Sequence, residues 1–182
     1  GGATNRSHNY SERQVHFWIR QYRNFLVSAD AGKKGYVDQA FLQSVNCKQL
    51  TKVDAALCSA NCWGENVYEV CMPELLDLPN NMGIEYFGLV DGQTRLTVSE
   101  YNYGGYTKFN RFVPVKPYAQ RVGQKFYLFN IDDFWPLEAV TLRGVMADPA
   151  NLKACGVELA CFDIDNDVYP IPPRLETVLM DM

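Results

Sequence analysis

The residues with the greatest potential for metal chemistry are four cysteines in the first half of the chain. Cys47, Cys58, Cys62 and Cys71 follow the spacing C-x10-C-x3-C-x8-C. Zinc sites usually place a closely spaced pair of ligands in each half of the motif, on turns that converge. Only Cys58 and Cys62 form such a pair, and on a helix they would share one face. Core thiols are therefore a better interpretation of these cysteines than a zinc site.

Nucleophilic chemistry has equally little support. A catalytic thiol needs a histidine within hydrogen-bond reach, and the two histidines, His8 and His16, lie near no cysteine in sequence. Cys155 and Cys161 complete a set of six cysteines, which is too few for a disulfide scaffold in a chain of 182 residues. We expect free thiols in a reducing compartment, no enzymatic activity, no cofactor and no bound metal. A thiol or zinc enzyme stays as an alternative.

An acidic segment near the C-terminus is similar to the beginning of a calcium-binding loop. Asp163, Asp165 and Asp167 have the required alternation. An EF-hand loop also needs glycine at its sixth position and a bidentate glutamate at its twelfth, where this chain has Val168 and Arg174. A solvated acidic turn is the better interpretation, and weak cation binding at 163–167 stays open. The sequence contains no glycine-rich phosphate-binding motif.

Residues 95–125 combine basic and aromatic side chains, as a platform for single-stranded nucleic acid does. Bases stack on aromatic rings while lysine and arginine contact phosphates. The chain as a whole is acidic, with a net charge of −4, whereas such modules are usually basic. Nucleic-acid binding through this segment is therefore the first alternative function. Its aromatic residues are Tyr101, Tyr103, Tyr106, Phe109, Phe112 and Tyr118.

Charge is unevenly distributed along the chain. Residues 92–125 carry a net charge of +5, and residues 126–182 carry −7. A subunit with one basic and one acidic region can bind copies of itself head to tail, because unlike charges attract and like charges repel. The residues that we expect at such a subunit interface are the basic Arg20, Arg23, Arg111, Lys116 and Arg121 and the acidic Asp163, Asp165 and Asp167.

An N-terminal amphipathic helix is the clearest element. Ser11 and Gln14 match a capping box, and a breaker cluster begins at Asp30. One side of this helix carries an apolar stripe, and Arg20 and Arg23 lie off it. The stripe consists of Val15, Trp18, Ile19, Tyr22, Phe25 and Leu26, which recur at helical spacing.

The middle of the chain is rich in β-branched and aromatic residues. The turn Asp91-Gly92-Gln93 predicts a hairpin, Asp148-Pro149 predicts the start of a short helix, and 174–182 predicts a C-terminal helix. The predicted strands are Ile84–Val90, Thr94–Tyr101, Arg111–Val115, Phe126–Ile131 and Val140–Val145.

These elements predict one α+β domain over residues 1–182. Its antiparallel sheet would form a sandwich or a partly open barrel, with the amphipathic helix at one end of the sequence and the C-terminal helix at the other. We expect a polar arm over 1–10, a mainly helical segment over 11–80, a β-rich segment over 81–147, and an acidic loop, proline-rich step and helix over 148–182. No stretch is apolar enough to cross a membrane.

Three segments of the chain carry a resemblance to one protein family. They are SERQVHFWIRQYRNFL from Ser11 to Leu26, VTLRGVMADP from Val140 to Pro149 and YPIPPRLE from Tyr169 to Glu176. They resemble the first helix, a strand followed by the motif G-x-F-x-D-P, and a proline-rich step into a C-terminal helix in the structural ring proteins of crAss-like short-tailed bacteriophages. The resemblance covers roughly the whole chain.

The resemblance implies a virion protein of the phage neck or tail, made in the bacterial cytoplasm. Such proteins form rings, commonly dodecameric, that connect portal and tail around the DNA channel. The implied partners are copies of the chain itself, the portal and other tail or ring proteins. DNA would pass through without specific binding, and no membrane is implied. We also expect the polypeptide to continue past Met182.

Overall fold

The computed structural model describes the larger part of the chain. The described residues are 11–53, 67–99, 117–131, 139–150, 152–154, 157–158 and 169–180. They form two α-helices and ten β-strands, and this arrangement confirms the predicted α+β class.

Helix α1 spans Glu12–Lys34 and has the predicted N-terminal cap. The Ser11 hydroxyl accepts from the Gln14 backbone N–H, and the Gln14 side chain accepts from the Ser11 backbone N–H. The helix ends at Gly35, whose φ of 73° lies in the left-handed region that glycine adopts without strain. The Gly35 N–H donates to the Ala31 carbonyl.

Two larger sheets contain eight of the strands. The strands in chain order are β1 (Gln43–Gln49), β2 (Thr51–Val53), β3 (Val67–Cys71), β4 (Ile84–Leu89), β5 (Thr97–Ser99), β6 (Tyr118–Val122), β7 (Lys125–Phe129), β8 (Ala139–Gly144), β9 (Lys153–Ala154) and β10 (Val157–Glu158). The three-stranded sheet has the order β1-β8-β4 and is antiparallel. The five-stranded sheet has the order β2-β3-β7-β6-β5, and its β5–β6 pair is parallel. Strands β9 and β10 pair only with each other.

The inner faces of the two larger sheets pack together to form the main core. Val140 and Leu142 of the three-stranded sheet share one buried cluster with Leu128 of the five-stranded sheet. Phe87 and Phe126 stack across the interface, with ring centroids 4.6 Å apart. The molecule is therefore an open sandwich of two sheets, one of the two arrangements expected.

A second core joins α1 to the end of β8. Val27 and Ala31 of the helix are buried with Phe41 and Val145. The C-terminal helix α2, Pro173–Met180, packs Leu175 against the same cluster. In the described part of the chain, neither helix is both long and apolar enough to span a bilayer.

The structure tests three expectations about elements. In the segment 11–80, where we expected mainly helix, the described residues form α1 and strands β1, β2 and β3. The predicted hairpin at 91–93 is present, since the Leu89 N–H donates to the Thr94 carbonyl at 3.0 Å and the Leu96 N–H donates to the Phe87 carbonyl at 2.8 Å. Beyond it the chain enters β5, which belongs to the other sheet. After Asp148 the chain makes a turn at 149–150 where we expected the start of a short helix. The predicted strand 111–115 lies outside the described residues.

Candidate functional site

The apolar stripe of α1 faces solvent over part of its length. Phe25 is 64% exposed, Trp18 44% and Val15 39%. We call these three residues, which lie within about 80° of one another around the helix axis, the aromatic face of α1. Tyr22 lies beside this face and stacks on Phe25, with 6.2 Å between ring centroids. Phe17 is also exposed, but it lies outside the stripe and packs against Arg20. The stripe is therefore only partly buried by its own chain. The buried side of the helix instead carries Arg23, Val27 and Ala31.

Arg23 explains this orientation of the helix. Its side chain is fully buried and donates to three backbone carbonyls: Nε to Pro170 (3.1 Å), Nη1 to Met146 (3.0 Å) and Nη2 to Phe41 (3.5 Å). The guanidinium also lies near the ring of Tyr169, 5.9 Å from its centroid. Buried polar groups must find partners, and three chain segments supply them here. Arg23 therefore joins α1 to the rest of the subunit.

Burial also changes the acidity of Arg23. Desolvation disfavours the charged form and lowers the pKa of Arg23 to about 10, although Tyr169 and Asp148 act in the opposite direction. The guanidinium stays protonated at neutral pH. Because this side chain is enclosed by its own chain, we assign it to the internal joint and not to a subunit contact.

Arg20 and Asn24 bind the loop after β8 on the same side of the helix. Arg20 Nη1 lies 2.9 Å from Asp148 Oδ2, and both side chains are partly exposed. The Asn24 amide donates to the Ala147 carbonyl at 2.9 Å. These contacts fix the rotation of α1 and so keep the aromatic face outward.

A charged cluster holds α2 to the end of α1. Arg174 Nη2 lies 2.8 Å from Asp30 Oδ2 and 3.0 Å from Asp38 Oδ2. Lys34 Nζ lies 3.2 Å from the same Asp30 oxygen. Burial raises the pKa of Asp30, but hydrogen bonds from Arg174 and Lys34 outweigh this and bring the pKa below its ordinary value.

Of the remaining predicted interface residues, the structure describes only Arg121. Arg121 is held within its own subunit, since Nη1 lies 3.2 Å from Asp77 Oδ1 and Nη2 donates to the Leu75 carbonyl at 3.4 Å. The rest of the set lies outside the described residues and stays a prediction: Arg111, Lys116, Asp163, Asp165 and Asp167.

In the basic aromatic segment, the described ring is part of the core. Tyr118 is buried and stacks on Phe129, with 5.0 Å between centroids. Burial raises the pKa of its hydroxyl. A ring in this position offers no face to a base, so the described part of 95–125 does not favour the nucleic-acid alternative.

Cys71 corrects the expectation that all six cysteines are free thiols. It ends β3 and is disulfide-bonded. Sequence spacing does not reveal which cysteines a fold brings within bonding distance. A disulfide sulfur is not a thiolate ligand, so Cys71 cannot complete the four-cysteine zinc site while the bond is intact. Among the described residues, no group of three histidine, cysteine or acidic side chains could hold a metal.

A groove lies on the outer face of the three-stranded sheet, away from the core. Its volume is about 650 Å³, and it is open to solvent. Tyr86 and Leu89 of β4 line it, together with Thr141 and Arg143 of β8 and the exposed Val90. The Tyr86 hydroxyl donates to the Leu89 carbonyl at 2.8 Å, which fixes the ring in place. Arg143 Nε lies 2.8 Å from Glu85 Oε2.

Comparison with known protein families shows which class of protein this chain belongs to. Residues 2–182 match the family described as phage tail ring protein 2. The chain belongs to this family. The resemblance to ring proteins of crAss-like phages is thereby confirmed. Comparison with curated proteins gives no significant match.

A phage tail ring protein is a structural component of the virion that assembles with copies of itself and with other tail components. For a ring protein, surfaces are the functional sites. Helical spacing placed Val15, Trp18 and Phe25 on one apolar stripe, but no signal in the sequence shows that they face solvent. The burial of Arg23 decides this, and its acceptors at Phe41, Met146 and Pro170 are distant in the chain.

Proposed function

We propose that this chain is a subunit of a dodecameric ring in the head–tail connector of a crAss-like phage. The ring joins the portal to the tail and surrounds the channel through which DNA leaves the capsid. The subunit is made in the host cytoplasm and acts by assembly, without catalysis. Its partners are its own copies, the portal and neighbouring tail proteins.

The observation that carries this proposal is the match of residues 2–182 to a tail ring family. The exposed aromatic face of α1 supports it independently. Three large apolar side chains on one face of a helix are costly to leave in water, and contiguous apolar patches mark sites where proteins associate.

The acidic charge of the chain suits a channel for DNA. With a net charge of −4, the subunit repels phosphates on average, and DNA can slide past without specific binding. Buried rings such as Tyr118 and internally paired cations such as Arg121 are consistent with this role.

The proposal is tested on purified virions. We expect image reconstruction of the neck to show a closed ring of this chain between portal and tail, and quantitative mass spectrometry to give equal copy numbers of chain and portal if both are dodecamers. A chain absent from virions, or present only inside the capsid, would contradict the proposal.

A salt titration tests the nucleic-acid alternative. If the chain binds single-stranded DNA with an affinity that falls steeply between about 50 and 200 mM salt, the basic segment is a binding module after all. We expect no such binding.

A further inference from the structure

We propose that the aromatic face of α1 binds in the groove on the three-stranded sheet of the neighbouring copy in the ring. This inference rests on the proposed function, because it assumes a ring of identical subunits. A head-to-tail contact requires two different surfaces on each subunit, and the aromatic face and the groove are these two surfaces.

The size of the aromatic face matches one side of a subunit interface. The exposed parts of its three residues amount to about 300 Å² of apolar surface, given the 150–250 Å² that an aromatic side chain can bury. A standard interface covers about 800 Å² on each partner, of which roughly 57% is apolar. The aromatic face alone therefore supplies more than half of the apolar part of one such interface, which favours a folded protein surface as its occupant.

The groove has the chemistry to receive aromatic side chains. Its volume of about 650 Å³ accommodates two aromatic rings. The Arg143 guanidinium can stack on a ring, and the Tyr86 ring offers a second aromatic surface. Arginine, tyrosine and tryptophan are the residues that dominate binding energy at interfaces.

The groove is also formed before binding. The Tyr86 hydroxyl oxygen lies 2.8 Å from the Leu89 carbonyl oxygen and 3.1 Å from that of Thr94, so its one proton is shared between two backbone acceptors. Arg143 forms a partly exposed ion pair with Glu85 beside it. A preformed site loses less conformational entropy on association, and so binds more tightly for the same contacts.

The two surfaces occupy different parts of the subunit, as a ring needs. Helix α1 packs on the segment after β8, through Met146 and Ala147. The groove lies over Thr141 and Arg143, on the outer face of β8 itself. One subunit can therefore use both surfaces at once.

The test uses one variant of each surface and a matched control. Phe25→Glu changes the helix face and Val90→Glu changes the groove rim, where the native residues are 64% and 50% exposed. Val122→Glu is the control, since Val122 is an exposed apolar residue of β6 that belongs to neither surface. Circular dichroism and thermal unfolding confirm that each variant folds.

We expect Phe25→Glu and Val90→Glu each to weaken self-association at least tenfold by sedimentation velocity, and Val122→Glu to assemble like the parent. An equal mixture of the two weakened variants keeps one intact contact, between the helix of one and the groove of the other. This mixture should form dimers and nothing larger.

Three outcomes would overturn the inference. If Phe25→Glu assembles like the parent, the helix face is not a subunit contact. If the mixture stays monomeric while the parent assembles, the groove is not its receptor, and the ring proposal itself stands. A parent chain that is monomeric at every concentration overturns both proposals.

Discussion

Arg23 is the side chain that most directly decides which face of α1 is available to a partner. A buried guanidinium without its acceptors would be too costly, so its three carbonyl partners fix the helix in one rotation. Periodicity analysis treats every arginine as a solvent-facing residue and cannot anticipate such a joint. The same analysis predicted the Ser11–Gln14 capping box correctly, because both partners lie within one turn of the chain.

We expect Arg23→Met to lower the free energy of unfolding by about 2–4 kcal/mol. Methionine fills part of the volume but leaves the carbonyl oxygens of Pro170 and Met146 without donors, and each unpaired buried acceptor costs about 1–3 kcal/mol. The measurement is the urea midpoint of the purified chain at neutral pH.

Arg20→Met is the control for this prediction. The Arg20–Asp148 pair is partly exposed, so its loss should cost less than about 1 kcal/mol. If both variants lose the same free energy of unfolding, the hydrogen bonds of Arg23 do not join α1 to the rest of the subunit in the way proposed.

Two kinds of element could be predicted from the sequence. Some have hydrogen-bond partners that are close in sequence, and others consist mainly of apolar residues. Strands β4, β7 and β8 agree with the predicted segments to within two residues at each end, because β-branched and aromatic residues dominate them. Strand β1, with the sequence QSVNCKQ, was missed because it is largely polar. The division of β4 and β5 between two sheets depends on pairing with β8 and β6, which no local turn signal contains.

We expect Gly144→Ala to destabilise the fold by at least about 2 kcal/mol. A Cβ atom at residue 144 would lie 2.4 Å from the Gly83 carbonyl oxygen, so β8 or the chain at Gly83 must move. This backbone contact is also bonded, since the Val145 N–H donates to the Gly83 carbonyl at 2.8 Å.

Gly32→Ala provides the matched control within α1. Nothing lies within 4 Å of the added methyl group, and alanine favours helix by about 0.5–1 kcal/mol over glycine. This variant should therefore be more stable than the parent in the same urea titration. Equal destabilisation by both substitutions would contradict the close approach at Gly144.

The contact between α1 and α2 should depend on pH through Asp30. Its pKa is lowered in the folded chain, so the folded state binds fewer protons than the unfolded state around pH 3.8 and below. The stabilisation is complete above pH 3.8 and is lost as pH falls through the lowered pKa.

We therefore expect Asp30→Asn to lower the urea midpoint at pH 7, and the difference from the parent to shrink as pH falls below about 4. Asp77→Asn is a suitable control, because Asp77 is 89% exposed and its only described ion pair is with Arg121. A difference that is constant from pH 7 to pH 2 would contradict the role given to Asp30.

At the scale of the whole molecule, the exposed part of the α1 stripe is connected with the proposed function. Helical spacing identifies a stripe of apolar residues, but it does not say whether the same chain or a neighbouring copy covers it. For a chain of a ring family, we propose that a neighbouring copy covers the exposed part. The family itself was recognisable from three short segments, whereas the surfaces that serve it required the structure.

Closure of this chain into a ring can be tested by its mass in solution, measured by light scattering over a range of concentrations. We expect a plateau at about 250 kDa, which is twelve subunits of 20.7 kDa, because a closed ring leaves no free surface for further growth. A mass that stays at 20.7 kDa at every concentration, or one that rises without a plateau, would show that the chain does not form such a ring.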